Sequence, residues 1–214
     1  MTLDSSRRTQ RRRTGGPRKG DLREIAILDA AERLLATVPY RDMTMDDVAR
    51  EAGLSRPSLY FYFGSKEAVL TALHERTHGV MAQPVQVLRD GGASPEATMR
   101  AAIELLSRIW RAHAPALRTF HEVANSSPEF GARWTANLEH HVDALTELIE
   151  RERAAGRAAP SPPAARSIAS GWFWMLEHQF FALFSRRHTR AEEAELVDTV
   201  TALWFRCIGA PGAA

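Results

Sequence analysis

Residues 44–66, TMDDVAREAGLSRPSLYFYFGSK, constrain the fold most, because they predict two short helices around a tight turn. Thr44 is a favoured N-cap residue, and Asp47 stands three positions later as in a capping box. Gly53 supplies the left-handed conformation that commonly ends a helix. Ser55 is a good cap for a second helix. This arrangement is typical of a helix-turn-helix unit, whose second helix enters the DNA major groove.

The second of these helices is predicted to have one buried and one exposed face. Leu59 and Phe63 lie four positions apart and are expected to face inward. The residues left facing outward are Pro57, Ser58, Tyr60 and Phe61. Exposed aromatic rings are unfavourable in water unless a partner covers them, and a major groove offers base edges, phosphates and thymine methyl groups. The alternative is that Tyr60, Phe61 and Tyr62 form the core of a small helical domain.

The N-terminus carries a strong charge asymmetry. Residues 1–20 hold seven basic side chains and one acidic one, a charge of +6, so the remaining chain carries −4 of the total of +2. A basic arm on an acidic body is typical of a DNA-associating tail, and such a polar segment is predicted to be disordered when free. A solvated tail that only improves solubility is the alternative.

Length and composition favour an all-α protein with two parts. A chain of 214 residues fits a small DNA-binding module and a larger helical domain, since the periods are helical and none clearly alternates. No run of 18 apolar residues and no apolar N-terminal segment is present, so neither a membrane span nor an export signal is expected. A lone cysteine, Cys207, suits a reducing cytoplasm. It is predicted to be a small buried residue rather than a reactive thiol.

Breakers divide the chain into nine predicted helices. These are 22–37, a pair within 44–63, 65–88, 95–113, 115–125, 128–155, 162–187 and 191–208. Pro84 is expected to kink the helix 65–88 or end its regular part. We therefore predict a basic arm at 1–20, a helix-turn-helix domain at 21–66 and a ligand-binding and dimerisation domain at 67–214.

One motif points to a different chemistry. His74, Glu75 and His78 match H-E-x-x-H, in which two histidines one turn apart bind zinc and the glutamate activates water. Residues 79–84 supply no third histidine, and no strand is predicted to line a substrate cleft. A polar run on a helix surface is the simpler interpretation, and a zinc hydrolase is kept as a remote alternative. No cofactor is indicated.

The segment 27–66 resembles TetR-type repressors in its apolar first helix, AREAGLS turn, SLYFYF segment and SKEAVL helix start. The stretches GDLREIAILDAAERLLA, ERERAAGRAAP and LWFRCIG are further similar to the ethionamide-resistance regulator branch. The resemblance implies a DNA-binding repressor and supports a backbone contact from the first residue of the fourth helix. Taken together, the predicted DNA-contacting residues are Thr44, Ser55, Arg56, Pro57, Ser58, Tyr60, Phe61, Tyr62, Lys66, Arg11, Arg12 and Arg13.

The same resemblance implies a homodimer through the last two helices and a narrow hydrophobic tunnel for a lipophilic effector. The implied lining positions are Met99, Leu106, Trp110, Trp134, His141, Phe173, Leu176 and Trp204. The sequence departs from the branch where Phe173 and Leu176 replace asparagines and His141 replaces an aromatic residue. Because amide anchors are lost, the ligand is expected to be more apolar, or to be held by His141 or Gln179.

Two functions remain open beside the remote hydrolase. The first is a homodimeric repressor that a lipophilic molecule releases from double-stranded operator DNA. The second is a DNA-binding dimer whose larger domain has a filled core and binds no ligand. The adjacent pair His140 and His141 is a weak metal candidate, because neighbours on a helix diverge by about 100°; we expect His140 at the surface and His141 in the pocket or core.

Overall fold

The computed structural model describes residues 19–92, 94–160 and 163–209, and these ranges are helical with short connections. The prediction of an all-α fold is confirmed. The helices are α1 (Lys19–Leu35), α2 (Met45–Glu51), α3 (Arg56–Tyr62), α4 (Lys66–Met81), α5 (Gln83–Asp90), α6 (Pro95–Ser126), α7 (Pro128–Ala154), α8 (Ala165–Phe184) and α9 (Arg190–Cys207).

The first three helices pack around a small apolar core. Ile27 and Ala31 on α1 are buried at the one-turn spacing expected of an amphipathic helix. Val48 of α2 and Leu59 of α3 are fully buried, and they join the same cluster. The apolar residues Val69, Leu70 and Leu73 of α4 extend this core toward the rest of the chain.

The predicted helix 65–88 is divided in two. α4 ends at Met81 and α5 begins at Gln83, with Ala82 serving as the cap of both. Pro84 lies in the first turn of α5, where its missing N–H leaves no helical bond unmade. Inside a continuous helix its ring would clash with the preceding turn, so the prediction that Pro84 ends the regular part is confirmed.

The predicted helices 95–113 and 115–125 are joined instead. α6 continues through Pro115 with a kink at His113, whose φ of −120° and ψ of 15° are non-helical. Proline disfavours the helical conformation just before it, yet the chain resumes its helix in the next turn. The break that we predicted is therefore a bend. Because one predicted helix is divided and two others are joined, the described part of the chain still has nine helices.

α6 is the central element of the larger domain. It contacts α5, α7, α8 and α9, and it also contacts α1 and α4 of the N-terminal unit. Displacements of α6 therefore reach both parts of the molecule. In the described ranges no helix combines the length and the apolar character needed to cross a membrane. Cys207 is exposed at the end of α9, so its predicted burial is wrong.

Candidate DNA-binding surface and hydrophobic cavity

The start of α2 is fixed by the predicted capping box. Thr44 Oγ1 accepts a hydrogen bond from the Asp47 backbone N–H at 3.2 Å, and an Asp47 carboxylate oxygen accepts the Thr44 N–H at 3.1 Å. The Thr44 hydroxyl also donates to this oxygen, and these bonds hold the pKa of Asp47 below its usual value. Thr44 is exposed, and its side chain already serves the helix.

The turn between α2 and α3 is a Schellman motif. Gly53 adopts a φ of 65°, the Leu54 N–H donates to Ala49 O at 2.8 Å, and the Gly53 N–H donates to Arg50 O at 3.2 Å. A side chain at this φ would be strained, which explains the glycine. The motif sets the direction in which α3 leaves the turn.

α3 presents the two faces that the sequence predicts. Its first turn is capped by Ser55 Oγ, which accepts from the Ser58 N–H at 3.4 Å. Leu59 is fully buried, whereas Tyr60 is 41% and Phe61 84% exposed. Pro57 and Ser58 are exposed as well, and Tyr62 is half-buried against the core. The alternative that these aromatic residues form a core is wrong for Phe61.

Arg56 at the start of α3 is oriented by two neighbours. Its Nε lies 3.2 Å from an Asp46 carboxylate oxygen, and its guanidinium group lies 5.6 Å from the centre of the Tyr60 ring. A side-chain hydrogen bond with Tyr60 and the negative charge of Asp46 raise the pKa of Arg56.

Lys66 has a structural role that the sequence did not indicate. Its ammonium donates to the backbone carbonyls of Tyr40, Arg41 and Met43 at 3.1–3.2 Å and lies 4.8 Å from the centre of the Tyr40 ring. Its three N–H donors therefore have acceptors within the domain. The ammonium ties the loop after α1 to the start of α4. Arg11, Arg12 and Arg13 lie outside the described residues.

The H-E-x-x-H segment does not form a zinc site. His74 is buried against Phe120 and Trp134, and burial lowers its pKa to about 4. Glu75 instead lies on the exposed side, 3.9 Å from an Arg133 nitrogen. Across the described ranges no cluster of three potential metal ligands occurs. The ring of His74 is packed among aromatic side chains, and Nε2 of His78 lies 3.3 Å from the backbone oxygen of Asn137, so the zinc-hydrolase alternative is not supported.

A small apolar cavity of about 50 Å³ lies between α4, α5, α6, α7 and α8. Five of the eight residues predicted to line the effector tunnel line this cavity, namely Met99, Leu106, His141, Phe173 and Leu176. The volume is below the roughly 150 Å³ that accommodates benzene in an engineered apolar cavity. A larger ligand therefore requires side chains in the wall to move.

The three tryptophans predicted for this pocket lie elsewhere. Trp110 is fully buried, and its ring stacks on Phe180 at 6.3 Å. Trp134 lies in the aromatic cluster around His74, and Trp204 packs edge to face on Trp172 at 5.0 Å. Helical periodicity identified these residues as inward-facing. It did not distinguish filled core from cavity wall, because both are apolar.

A polar junction between the two parts of the molecule was not predicted. Glu32 of α1 accepts from Arg76 of α4 at 2.8 Å and lies 2.7 Å from Nδ1 of His113, the kink residue of α6. Arg76 also donates to Asp29 at 2.6 Å. Glu32, Arg76 and His113 are partly buried, which limits competition from water, whereas Asp29 is exposed. No local sequence pattern predicts the junction, because its partners are up to 81 positions apart.

A capped helix pair joined by a glycine turn, with an exposed aromatic face on the second helix, defines a helix-turn-helix DNA-binding protein. Residues 27–73 match the model of bacterial regulatory proteins of the tetR family, and residues 99–210 match the C-terminal domain of the transcriptional regulator EthR. The chain belongs to the TetR family of transcriptional regulators, whose members are not enzymes.

Curated relatives of similar length support this assignment. The chain is 34% identical over 217 residues to the HTH-type transcriptional regulator EthR of Mycolicibacterium smegmatis, covering 97% of this chain and 96% of that protein. EthR of Mycobacterium tuberculosis is 34% identical over 199 residues, and the match covers 92% of this chain and 91% of that protein. The regulator RutR of Escherichia coli is 26% identical over 182 residues, covering 85% and 79%.

Solved structures share the fold at low sequence identity. GusR from Salmonella enterica superimposes with a TM-score of 0.75 at 14% identity, covering 92% of this chain and all of that one. A TetR-like regulator from Rhodococcus sp. RHA1 superimposes with a TM-score of 0.71 at 20% identity, and the match covers 90% of this chain and 98% of that one. The all-helical architecture is thus common to proteins whose sequences have diverged widely.

Proposed function

We propose that this regulator is a homodimeric repressor that a lipophilic molecule releases from its operator. Phe61 carries the DNA-binding part of the proposal, because an 84% exposed ring on a well-held helix is unfavourable in water and suits a groove. Tyr60, Ser58 and Arg56 lie on the same exposed face. We place the boundary of the DNA-binding domain at residue 66, and the basic arm supplies further phosphate contacts.

Not every predicted DNA contact is supported equally by the geometry. Thr44, Ser55, Pro57 and Ser58 are exposed, and they lie at or near the starts of α2 and α3, where backbone N–H groups suit phosphate oxygens. Tyr62 is half-buried and contributes at most its edge. Lys66 reaches DNA only by giving up its carbonyl acceptors, so we assign it to positioning the fold.

The dimer is proposed to form through α8 and α9. The outward face of α8 is exposed and consists mostly of small residues around one large apolar ring, Trp174, which is 37% exposed. The exposed residues of this face are Ser167, Gly171, Trp174, His178 and Ala182. Small side chains permit close approach of a second helix, and the tryptophan provides a buried anchor in the interface.

Sedimentation equilibrium tests this interface. Trp174→Glu places a charge in the proposed contact, so we expect a monomer at concentrations where the unmodified protein is a dimer. Ala101→Glu, on an exposed position of α6, is the matched control and should leave the dimer intact. A dimer that persists in Trp174→Glu would show that the interface lies on another face.

The apolar cavity supports the ligand-responsive part of the proposal. It lies against α4, the helix that leads directly to α3, so an expanding ligand displaces the element that positions the recognition helix. A ligand that prefers the displaced conformation shifts the population away from DNA, and each tenfold loss of affinity needs about 1.4 kcal/mol of differential binding.

The volume of about 50 Å³ favours the second candidate, a DNA-binding dimer with a filled core and no effector. Mobility-shift titrations with and without long-chain amphiphiles distinguish the two candidates. The repressor proposal expects release of DNA and a rise in the melting temperature of the free protein. Unchanged DNA binding and an unchanged melting temperature would support the second candidate.

A further inference from the structure

His141 of α7 occupies a special position between two voids. It lines both the cavity of about 50 Å³ and a smaller void of about 10 Å³ beside His74, and Met81 also lines both. The side chain is buried, and its ring stacks on Phe173 at 5.4 Å. A ligand in the cavity can therefore reach this imidazole.

The hydrogen bond of His141 determines which ring nitrogen carries the proton. Its Nε2 lies 3.0 Å from the backbone carbonyl oxygen of Met81. Because a carbonyl oxygen only accepts, Nε2 must carry the hydrogen. Burial lowers the pKa of His141, which keeps the ring neutral near pH 7. Nδ1 is then an unprotonated nitrogen with a lone pair.

That lone pair has no partner among the residues that the structure describes. Nδ1 of His141 is buried and makes no hydrogen bond to any described residue. A buried acceptor without a donor is unfavourable, and a ligand that supplies the donor removes this cost. A ligand that offers only another acceptor places two lone pairs against each other.

The rest of the cavity wall reinforces this preference. The wall is mainly apolar, with Ile103, Leu106 and Leu176 among its residues. Its charged member is Glu177, a carboxylate that lies 2.9 Å from Nε2 of His121. A carboxylate also accepts hydrogen bonds when ionised. The polar side chains of the wall therefore favour a ligand that carries a hydrogen-bond donor.

We propose that the cavity binds an apolar molecule carrying one hydrogen-bond donor, a hydroxyl or N–H group, which Nδ1 of His141 accepts. The inference rests on the proposed ligand-responsive function and specifies the chemical class of the ligand. Molecules whose only polar atoms are ether or ester oxygens are excluded from tight binding, because neither oxygen can donate. The expected difference in affinity between ligands with and without a donor comes from the unpaired nitrogen. Its magnitude is therefore that of one buried hydrogen bond.

A matched series of small amphiphiles tests the donor requirement on the unmodified protein. 1-Octanol and heptyl methyl ether have the same atoms and nearly the same length, and nonane is the apolar reference. We expect 1-octanol to bind roughly tenfold more tightly than the ether, which corresponds to about 1.4 kcal/mol. The readouts are the melting temperature and the tryptophan emission, since Trp172 lines the cavity.

The outcomes separate this inference from the proposed function. If the alcohol and the ether bind equally, the donor requirement is wrong and the ligand-binding function stands. If none of the three compounds changes the melting temperature or the emission, both proposals are overturned.

His141→Phe retains a stacked ring and removes the acceptor, so the preference for 1-octanol should disappear while nonane binding remains. His140→Phe, at the half-buried neighbouring position, is the control and should keep the preference. Should His141→Phe fail to fold, nitrogen NMR of the unmodified protein gives the answer. The Nδ1 resonance of His141 must shift with 1-octanol and stay unchanged with the ether, and an absent shift with the alcohol refutes the inference.

Discussion

Replacing Phe61 by alanine should weaken operator binding strongly without destabilising the protein. The ring is 84% exposed, which is about 170 Å² of a residue of roughly 200 Å². If a groove covers half of this area, burial at about 25 cal/mol/Å² contributes ~2 kcal/mol, of which alanine forfeits ~1.5 kcal/mol. Two subunits give ~3 kcal/mol, or on the order of a hundredfold in affinity.

Fluorescence anisotropy on an operator duplex at fixed salt measures this loss, and thermal unfolding measures stability. Phe61→Ala should change the free energy of unfolding by less than about 0.5 kcal/mol, as is usual for surface positions. Leu59→Ala, two residues earlier and fully buried, is the contrasting control and should cost about 2–5 kcal/mol of stability. Wild-type affinity in Phe61→Ala would refute the assignment of this face to DNA.

Two further predictions concern buried and half-buried polar groups. Burial lowers the pKa of His74 to about 4, against about 6.5 in an unfolded chain, so the unfolded state binds the proton first and stability falls as pH decreases from about 6.5 toward 4. His74→Phe should therefore lose less melting temperature between about pH 7 and 5 in calorimetric scans; an equal loss contradicts the assignment. Lys66→Met should lower the free energy of unfolding by about 2 kcal/mol in denaturant titrations, since three carbonyls lose a charged donor. A phosphate contact alone would instead leave stability unchanged and reduce the salt slope of DNA binding by about one.

The N-terminal unit could be predicted closely because its signals are local. The capping box of Thr44 and Asp47, the left-handed Gly53 and the opposite faces of Leu59 and Phe61 each depend on residues within one or two helical turns. Cap and turn chemistry acts over such distances, and periodicity specifies which side is buried. The same rules predicted the break at Pro84.

The larger domain was predicted less well because its details depend on packing between distant helices. Trp110, Trp134 and Trp204 face inward as their spacing indicates, yet the cavity lies beside other residues. From the sequence, Lys66 is predicted to be an exposed cation at the start of a helix. Only the folded loop after α1 shows that three of its backbone carbonyls accept hydrogen bonds from this lysine. Pro115 reads as a helix end, whereas the surrounding helices hold the chain on both sides of the bend.

The bend in α6 has a mechanical consequence. Its kink residue, His113, shares the Glu32 carboxylate with Arg76, so a single side chain of α1 is bonded to both α4 and α6. Straightening or sliding α6 at this point lengthens the contact between His113 and Glu32. Because Glu32 also accepts from Arg76, the change affects α1 and α4 as well. Under the proposed release mechanism, this carboxylate offers a second route from α6 to the DNA-binding unit, beside the direct packing of α6 on α1 and α4.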